Sequence, residues 1–497
     1  MNMSYMELLK LASPETIVVL TALVVLTIGV VRPGAASLCS GTAVLGLALS
    51  IGATLLLPQH AQLFHGMLVI SPLNSLFKII CLSLALFTVV LSQNEKSLRN
   101  RGEYLAMLLL ATIGLMLLIG SEELLMIFVG LELTGLALYV MTGFDETDVR
   151  SAEAGLKYFL FGSTASAFTL FGLSFVYGCA GTTELVAIGQ RFSAGPVEPL
   201  LAVGIVMTLV GFAFKIAAAP FHLWAPDAYQ GGPLPSAAFI ASGSKVASFV
   251  VLGKLVLIGF GGVRGSAGWH TMVAGWSPVL AVLAALSIVI GNFAALRQRN
   301  IRRLLAYSAV AHAGYTLLGL VAGGANGFSA TLFYTTTYAL TLVGAFAVVA
   351  VVRRETGGDD LEHFSGLWSR HHNRAGGALL AGAMAIFMLS LAGLPPFPGF
   401  FGKFYLFSAA LRADRGLLWL VALALFGSLI SLYYYLIVLK TIFAGEKPAG
   451  QKPLLPAVHG GGQDFLAQIT VGVLAFAVLL LGILPTLLLA RIASSLQ

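Results

Sequence analysis

The chain has 497 residues, of which 58% are hydrophobic and only 10% charged, with a formal net charge of +7. A soluble protein of this length carries about 25% charged residues, so a soluble globular fold is excluded. The mean hydropathy of +0.92 points to a polytopic membrane protein, and basic loops on one membrane face account for the charge better than nucleic acid does.

Glu7 and Glu15 make the N-terminal stretch a poor secretory signal, so the first apolar run reads as a retained helix. Apolar runs, each able to cross a bilayer core of roughly 30 Å, recur along the chain and predict about fourteen helices. The first six are expected at 14–31, 37–57, 73–92, 104–119, 121–142 and 154–179. The seventh starts near 199 and is broken at Pro220, and the eighth covers 236–260. The ninth to eleventh are 273–296, 303–323 and 328–352. The twelfth, 377–411, is broken at LPPFPGF (Leu394 to Phe400), and 415–442 and 466–491 complete the set. The expected fold class is an all-α polytopic membrane protein.

Helices seven and twelve are both proline-broken and each has a lysine near its break, Lys215 and Lys403. Interrupted helices in corresponding places point to an inverted-repeat transporter, and an odd offset of five helices turns the second unit over. Residue similarity between the units is weak. The expected organisation is helices 1–3 over 1–103, a first five-helix repeat over 104–262, a second, inverted repeat over 263–445, and a last helix over 446–497.

Loops after odd-numbered helices hold sixteen lysines and arginines, Lys96, Arg374, Lys447 and Lys452 among them. Loops after even-numbered helices hold only Arg191, Arg264, Arg412 and Arg415. The positive-inside rule then puts the odd loops in the cytoplasm and both termini outside. The loop from Arg353 to Arg374 mixes both signs of charge and reads as a solvated connection.

Seven charged side chains remain inside the helices: Lys78, Glu132, Lys157, Lys215, Lys245, Lys254 and Lys403. Charge at membrane depth is costly and marks ion paths or paired groups. Glu132, midway along helix five, is either a neutral acid bonded between helices or the partner of a buried lysine. Lys157 opens helix six; it either snorkels to the interface or leads inward along Ser163, Thr164 and Ser166. Lys215 precedes the Pro220 break, at a helix C-terminus whose partial negative charge favours a cation. Burial and a carboxylate neighbour act oppositely on its proton affinity, a balance suited to loading and releasing a proton.

Lys245 is a candidate receiver or a lysine that pairs two helices. Lys403 is a further receiver or a snorkelling side chain. Lys78 and Lys254, nearer helix ends, are expected at the interface. His222 and His312 suit a proton relay or a hydrogen-bonded core position, and without a spaced pair on one helix they do not suggest haem. Tyr334, Thr335, Thr336, Thr337, Tyr338 and Thr341 form a polar ladder that would carry a hydrated path. Cys39, Cys81 and Cys179 stand apart, with no disulfide, zinc or iron–sulfur pattern among them. With no nucleotide loop or nucleophile–base set either, redox chemistry is not expected in this chain.

Four segments carry a family resemblance: GLELTGLALYVMTGF around Glu132, RSAEAGLKYFLFGSTASAF around Lys157, FKIAAAPFHLWAPDAYQGGPLPSAAF around Lys215, and LAGLPPFPGFFGKFYLF around Lys403. Over nearly its full length the chain resembles the antiporter-like membrane subunits of respiratory complex I, relatives of Mrp-type sodium/proton antiporters. It is most similar to the N type. The RSAEAGLKYF segment favours that type, the lysine of helix twelve argues against the M type, and no lateral helix of the L type is expected before Gln497.

The resemblance implies that Glu132 pairs with Lys215 and tunes it, that Lys157 serves cytoplasmic uptake, and that Lys245 is central. His312 would bridge onward and Lys403 would load the exit half. It implies a proton-translocating subunit of NADH-quinone oxidoreductase in the bacterial cytoplasmic membrane. Partners would be M- and L-type subunits, the small K-, J- and A-type subunits, a peripheral redox arm and membrane lipid. FMN, iron–sulfur clusters, NADH and quinone would belong to those partners. An Mrp-type antiporter subunit, a formate- or hydrogen-linked complex, and a passive scaffold are the competing readings.

Overall fold

Within hydrocarbon every backbone N–H and C=O must be satisfied inside the protein, and this chain does so with helices almost throughout. The computed structural model describes residues 5–64, 66–93, 95, 97–193, 198–370, 375–444 and 463–496. Lys96, Arg374, Lys447, Lys452 and the expected boundary after residue 445 lie outside the described residues.

In chain order the first elements are α1 (Tyr5–Leu11), α2 (Ser13–Val31), α3 (Ala36–Leu55) and the antiparallel hairpin β1 (Ala61–Leu63) and β2 (Leu68–Ile70). Next come α4 (Pro72–Ser92), α5 (Arg101–Gly120), α6 (Leu124–Thr142), α7 (Val149–Ala180) and α8 (Leu185–Phe192). The first break separates α9 (Pro199–Lys215) from α10 (Trp224–Gly231). There follow α11 (Leu234–Gly259), α12 (Trp276–Ala295), α13 (Ile301–Ala322) and α14 (Gly324–Thr356). The second break separates α15 (Ala375–Ala392) from α16 (Pro398–Ala413), and α17 (Leu418–Ala444), α18 (Gln463–Ile483) and α19 (Thr486–Ser495) close the chain.

Among the described residues twelve helices are long and apolar enough to cross a membrane: α2 to α7, α11 to α14, and the segments Arg415–Ala444 and Leu466–Ile483. Their burial is uneven, and this locates the centre. The most apolar windows of α11 and α13 are 94% buried and that of α14 is 89% buried, against 28% for α2 and 33% for α7. Lys245, His312 and the Tyr334–Thr341 ladder therefore lie on the innermost helices, while α2, α3 and α7 turn apolar side chains outward.

Several boundaries differ from the sequence reading for local reasons. Helix α7 begins at Val149 rather than 154 because Asp148 caps it, accepting from the Arg150 N–H at 2.9 Å. The last predicted helix is divided at Pro485 into α18 and α19. The hairpin was not anticipated. Nor is the acidic end of the 353–374 loop simply solvated. Ile301 N donates to Asp359 O at 3.0 Å, Leu361 N to Arg299 O at 2.8 Å, and Asn300 Nδ2 to Asp359 Oδ1 at 2.6 Å. Arg302, 1% exposed, reaches Asp359 at 3.3 Å and also donates to the Gly232 carbonyl at the end of α10.

Helices α2 and α5 cross where two glycines meet. A Cβ on Gly29 would lie 2.7 Å from Gly102 Cα, and one on Gly102 would lie 2.5 Å from Gly29 Cα. Small residues allow such close backbone approach in membranes. Gly102→Leu is therefore expected to force the pair apart at a cost of roughly 1–3 kcal/mol, read as a lower melting temperature of the detergent-solubilised protein.

Candidate functional site

Lys215 is the last residue of α9, so the break falls where the sequence placed the first half's end. Several backbone groups freed at the break find partners close by. Ala218 N returns to Ala213 O at 2.8 Å, Trp224 Nε1 donates to Phe214 O at 3.1 Å, and Ser287 Oγ of α12 accepts from Ala219 N at 2.8 Å. Ala217 holds φ 57, a left-handed conformation unusual for a residue with a Cβ. Trp224 stacks on Tyr158 of α7 with centroids 4.1 Å apart, and Tyr158 meets Tyr139 of α6 at 4.7 Å. This aromatic row ties the break to α6 and α7.

The buried Lys215 ammonium lies over the Tyr139 ring at 5.8 Å. Leu131, Glu132, Tyr139, Ala165, Ser166, Thr169, Gly211, Phe214 and Lys215 line one narrow cleft. Glycine keeps it open: a Cβ on Gly135 would be 3.0 Å from Lys215 Nζ, and one on Gly211 would be 1.7 Å from Thr169 Oγ1. Glu132 and Lys215 share this cleft, yet no ion pair joins them; Glu132 Oε1 instead accepts from Ser166 Oγ. The expected Glu132–Lys215 contact is therefore one of shared cleft rather than of an ion pair, with the Glu132 side chain bonded to α7. Ser163 and Thr164, expected to lead inward, are exposed and bonded to their own helix carbonyls at Phe159 and Leu160.

Lys245 and Lys403 are joined by a second, longer arrangement. Lys245 Nζ donates to Ala309 O of α13 at 2.7 Å and lies 5.6 Å over the Tyr338 ring. A π-helical turn, Ile240–Ser244, immediately precedes it, a distortion frequent at functional sites. The His312 ring is 4.8 Å from Tyr338 and 5.6 Å from Tyr315. Lys403 lies 5.1 Å over Tyr315 and donates to Ala392 O at 3.0 Å, Leu391 O at 3.3 Å and Ser428 Oγ at 2.8 Å. The sequence of groups is Lys245, Tyr338, His312, Tyr315, Lys403.

Hydrogen bonds fix the imidazole at both nitrogens. Tyr334 OH is 2.8 Å from His312 Nδ1, and Tyr435 OH is 3.1 Å from Nε2. Tyr435 also bonds Ser308, and Tyr315 OH accepts from Asn292 Nδ2 at 2.9 Å, whose Oδ1 accepts from Tyr434 OH at 3.2 Å. Tyr315, Tyr434, Tyr435, Asn292 and Ser308 were missed in the sequence. Their one visible signal is polar side chains recurring within otherwise apolar helices. The threonine ladder behaves differently from expectation. Thr335, Thr336, Thr337 and Thr341 donate back to carbonyls of α14 itself, so only Tyr334 and Tyr338 face the lysine row.

Two expected site residues stand apart. Lys157 is 41% exposed and pairs with Glu153 at 2.7 Å and with Asp227 of α10 at 2.8 Å; Asp227 also holds Arg303 at 2.7 Å. His222 is buried beside Tyr307, with centroids 6.2 Å apart, and its Nδ1 has no hydrogen-bond partner among the described residues. Lys78 and Lys254, expected at the interface, are instead buried within the protein. Lys78 pairs with Glu15 at 2.6 Å; Lys254 contacts Asn74 Oδ1 at 2.6 Å, Ile119 O at 2.9 Å and Glu122 at 3.4 Å. They differ from snorkelling lysines because acids and the C-terminal carbonyls of α5 supply their partners inside. Among the described residues no group of three His, Cys, Asp or Glu side chains is placed to hold a metal ion.

The family profile described as NADH:quinone oxidoreductase/Mrp antiporter, TM, matches residues 121–431. The chain is 43% identical to NADH-quinone oxidoreductase subunit N 2 of Acidobacterium capsulatum, covering 98% of both. It belongs to the subunit N family of NADH-quinone oxidoreductases. A chain of respiratory complex I from Thermus thermophilus is 34% identical, with a TM-score of 0.77 over 96% of this chain and 98% of that one. A chain of the Mrp complex from Dietzia sp. has a TM-score of 0.78 over 99% and 97%, at 21% identity, a likeness of fold.

Lys254→Met removes the buried cation from Glu122, Asn74 and the end of α5. Removing one member of a buried pair costs roughly 3–5 kcal/mol, so the yield of assembled protein is expected to fall, measured by gel filtration of solubilised membranes. Lys254→Arg, which keeps the charge, is expected to retain most of that yield.

Proposed function

We propose that the chain is a proton-translocating subunit of NADH-quinone oxidoreductase in the bacterial cytoplasmic membrane. The observation that carries this reading is the buried row Lys245, Tyr338, His312, Tyr315, Lys403, with consecutive groups 4.8–5.6 Å apart. Two buried lysines separated by tyrosine rings and an imidazole, with the Tyr334 and Tyr435 hydroxyls bonded to that imidazole, mark the course that protons would take. Electrons pass from NADH to quinone through FMN and iron–sulfur clusters in the peripheral redox arm. M- and L-type subunits and the small K-, J- and A-type subunits flank this chain in the membrane.

In this mechanism Lys157 and its partner Asp227 mark the cytoplasmic side, and His222 lies on the first break between them and the interior. Glu132 switches Lys215. When the carboxylate approaches, the ammonium is favoured; when it withdraws, the proton is given up toward Lys245, then through His312 to Lys403. The energetics are modest. Moving one charge against 100 mV requires about 2.3 kcal/mol, and each pKa unit of change supplies about 1.4 kcal/mol, so a change of roughly two units suffices.

The two broken helices support fourteen spans: α9 with α10, and α15 with α16, would each complete one crossing beside the twelve longer helices. They also support two inverted five-helix repeats over 104–262 and 263–445, between helices 1–3 and the final helix of 446–497. The sixteen-to-four bias of basic residues supports termini on the periplasmic side. Subunit N relatives favour this reading over an Mrp-type antiporter, to which only the fold likeness extends.

The test is NADH-driven acidification of inverted membrane vesicles. Lys215→Ala and Glu132→Ala are each expected to leave the complex assembled while lowering proton pumping roughly tenfold or more. Wild-type acidification by both variants would leave the passive-scaffold reading in its place.

A further inference from the structure

The carboxylate of Glu132 has two possible partners along one cleft, Lys215 and Ser166, and it is bonded to the serine. Ser166 of α7 donates to Glu132 Oε1, while the Lys215 ammonium, lining the same cleft, is left over the Tyr139 ring at 5.8 Å. We propose that Ser166 is the alternative partner of Glu132, a positioning residue that competes with Lys215 for the carboxylate.

The competition follows from what each partner does. A hydroxyl bonded to an anion is a charge-assisted hydrogen bond that needs no proton to be exchanged. It lets Glu132 withdraw from Lys215 without leaving the carboxylate unsatisfied in a part-buried site, which would otherwise oppose withdrawal. Ser166 is well placed to respond to the rest of the molecule. Helix α7 also carries Lys157, bound to Asp227 of α10, and Tyr158, stacked on Trp224 of α10. Trp224 in turn bonds the Phe214 carbonyl, one residue before Lys215. A shift of α7 against α10 thus changes the Ser166 donor and the Lys215 helix end together. The other side-chain hydroxyls in the cleft are those of Thr169, spent on Ala165 O of its own helix at 2.8 Å, and of Tyr139, whose ring faces Lys215; of the three, Ser166 is the one that donates to Glu132.

This inference rests on the proton-translocating reading, and the experiment separates the two. In the assembled complex in inverted vesicles, Ser166→Ala is expected to slow NADH-driven acidification roughly three- to tenfold, because Glu132 then stays with Lys215. Ser166→Thr, which keeps a hydroxyl, restores turnover. The effect of Ser166→Ala disappears in a Glu132→Ala background, since a residue that acts through Glu132 has nothing left to act on. Wild-type acidification by Ser166→Ala, or an equal loss with and without Glu132, overturns the inference. If the alanine variant does not assemble, Ser166→Cys, of similar size with a weak donor, is read in the same way. Slow Glu132→Ala with unaffected Ser166→Ala sinks only the role of Ser166; unaffected Glu132→Ala sinks the proton-path reading itself.

Discussion

A helix that ends inside a membrane leaves carbonyl groups with no water to satisfy them, and most of this molecule's chemistry follows from how those ends are met. Every helix C-terminus carries a partial negative charge, and the chain brings a cation to several of them, at the breaks and at the ends of full spans alike. Lys403 donates to Leu391 O and Ala392 O at the end of α15, Lys254 to Ile119 O at the end of α5, and Arg264 to Val321 O and Ala322 O at the end of α13. Lys215 is itself the terminal residue of α9. The cost of a buried cation and the cost of a broken helix are thus set against each other. Neither would be tolerable alone.

That pairing divides the lysines into two kinds. Lys78 and Lys254 each have a carboxylate within 3.4 Å, and these pairs tie segments distant in sequence together. Lys215, Lys245 and Lys403 have no carboxylate within ion-pair distance; their neighbours are aromatic rings, carbonyls and a serine hydroxyl. A lysine without a bound anion loses less when it gives up its proton. Among the described residues the fold thus leaves these three lysines without an ion-pair partner, on or beside the innermost helices.

How much of this the sequence disclosed depended on the range of the interaction. Breaks at Pro220 and at LPPFPGF are local events, written in proline, and both were legible with a lysine beside each. The depth of Glu132, Lys215, Lys245 and Lys403 followed from the length of apolar runs. What could not be read was rotation about the helix axis. Ser163, Thr164 and Ser166 lie within one turn, yet only Ser166 meets Glu132 while the other two face outward. Lys78 and Lys254 were expected at the interface because they lie near helix ends, and their partners, Glu15 on α2 and Glu122 just before α6, are distant in sequence. The meeting of Tyr334, Tyr338 and Tyr435 around His312 was invisible for the same reason: they converge from α14 and α17.

The threonines of α14 sharpen the physical picture of that interior. Four hydroxyls in a row suggest a wet seam, but each donates to a carbonyl one turn back on the same helix. Such back-bonding satisfies the hydroxyl proton without a neighbour and removes it from any relay. A tyrosine cannot do this, because its hydroxyl is too far from its own backbone, so where it bonds it does so across the bundle; the buried hydroxyls of Tyr158, Tyr229 and Tyr338 have no hydrogen-bond partner among the described residues. Tyr334 finds His312, Tyr435 finds His312 and Ser308, and Tyr315 finds Asn292. The reach of the side chain decides which polar groups join helices together. In this protein the aromatic side chains and the imidazole, rather than the more numerous threonines, are the groups that lie between Lys245 and Lys403.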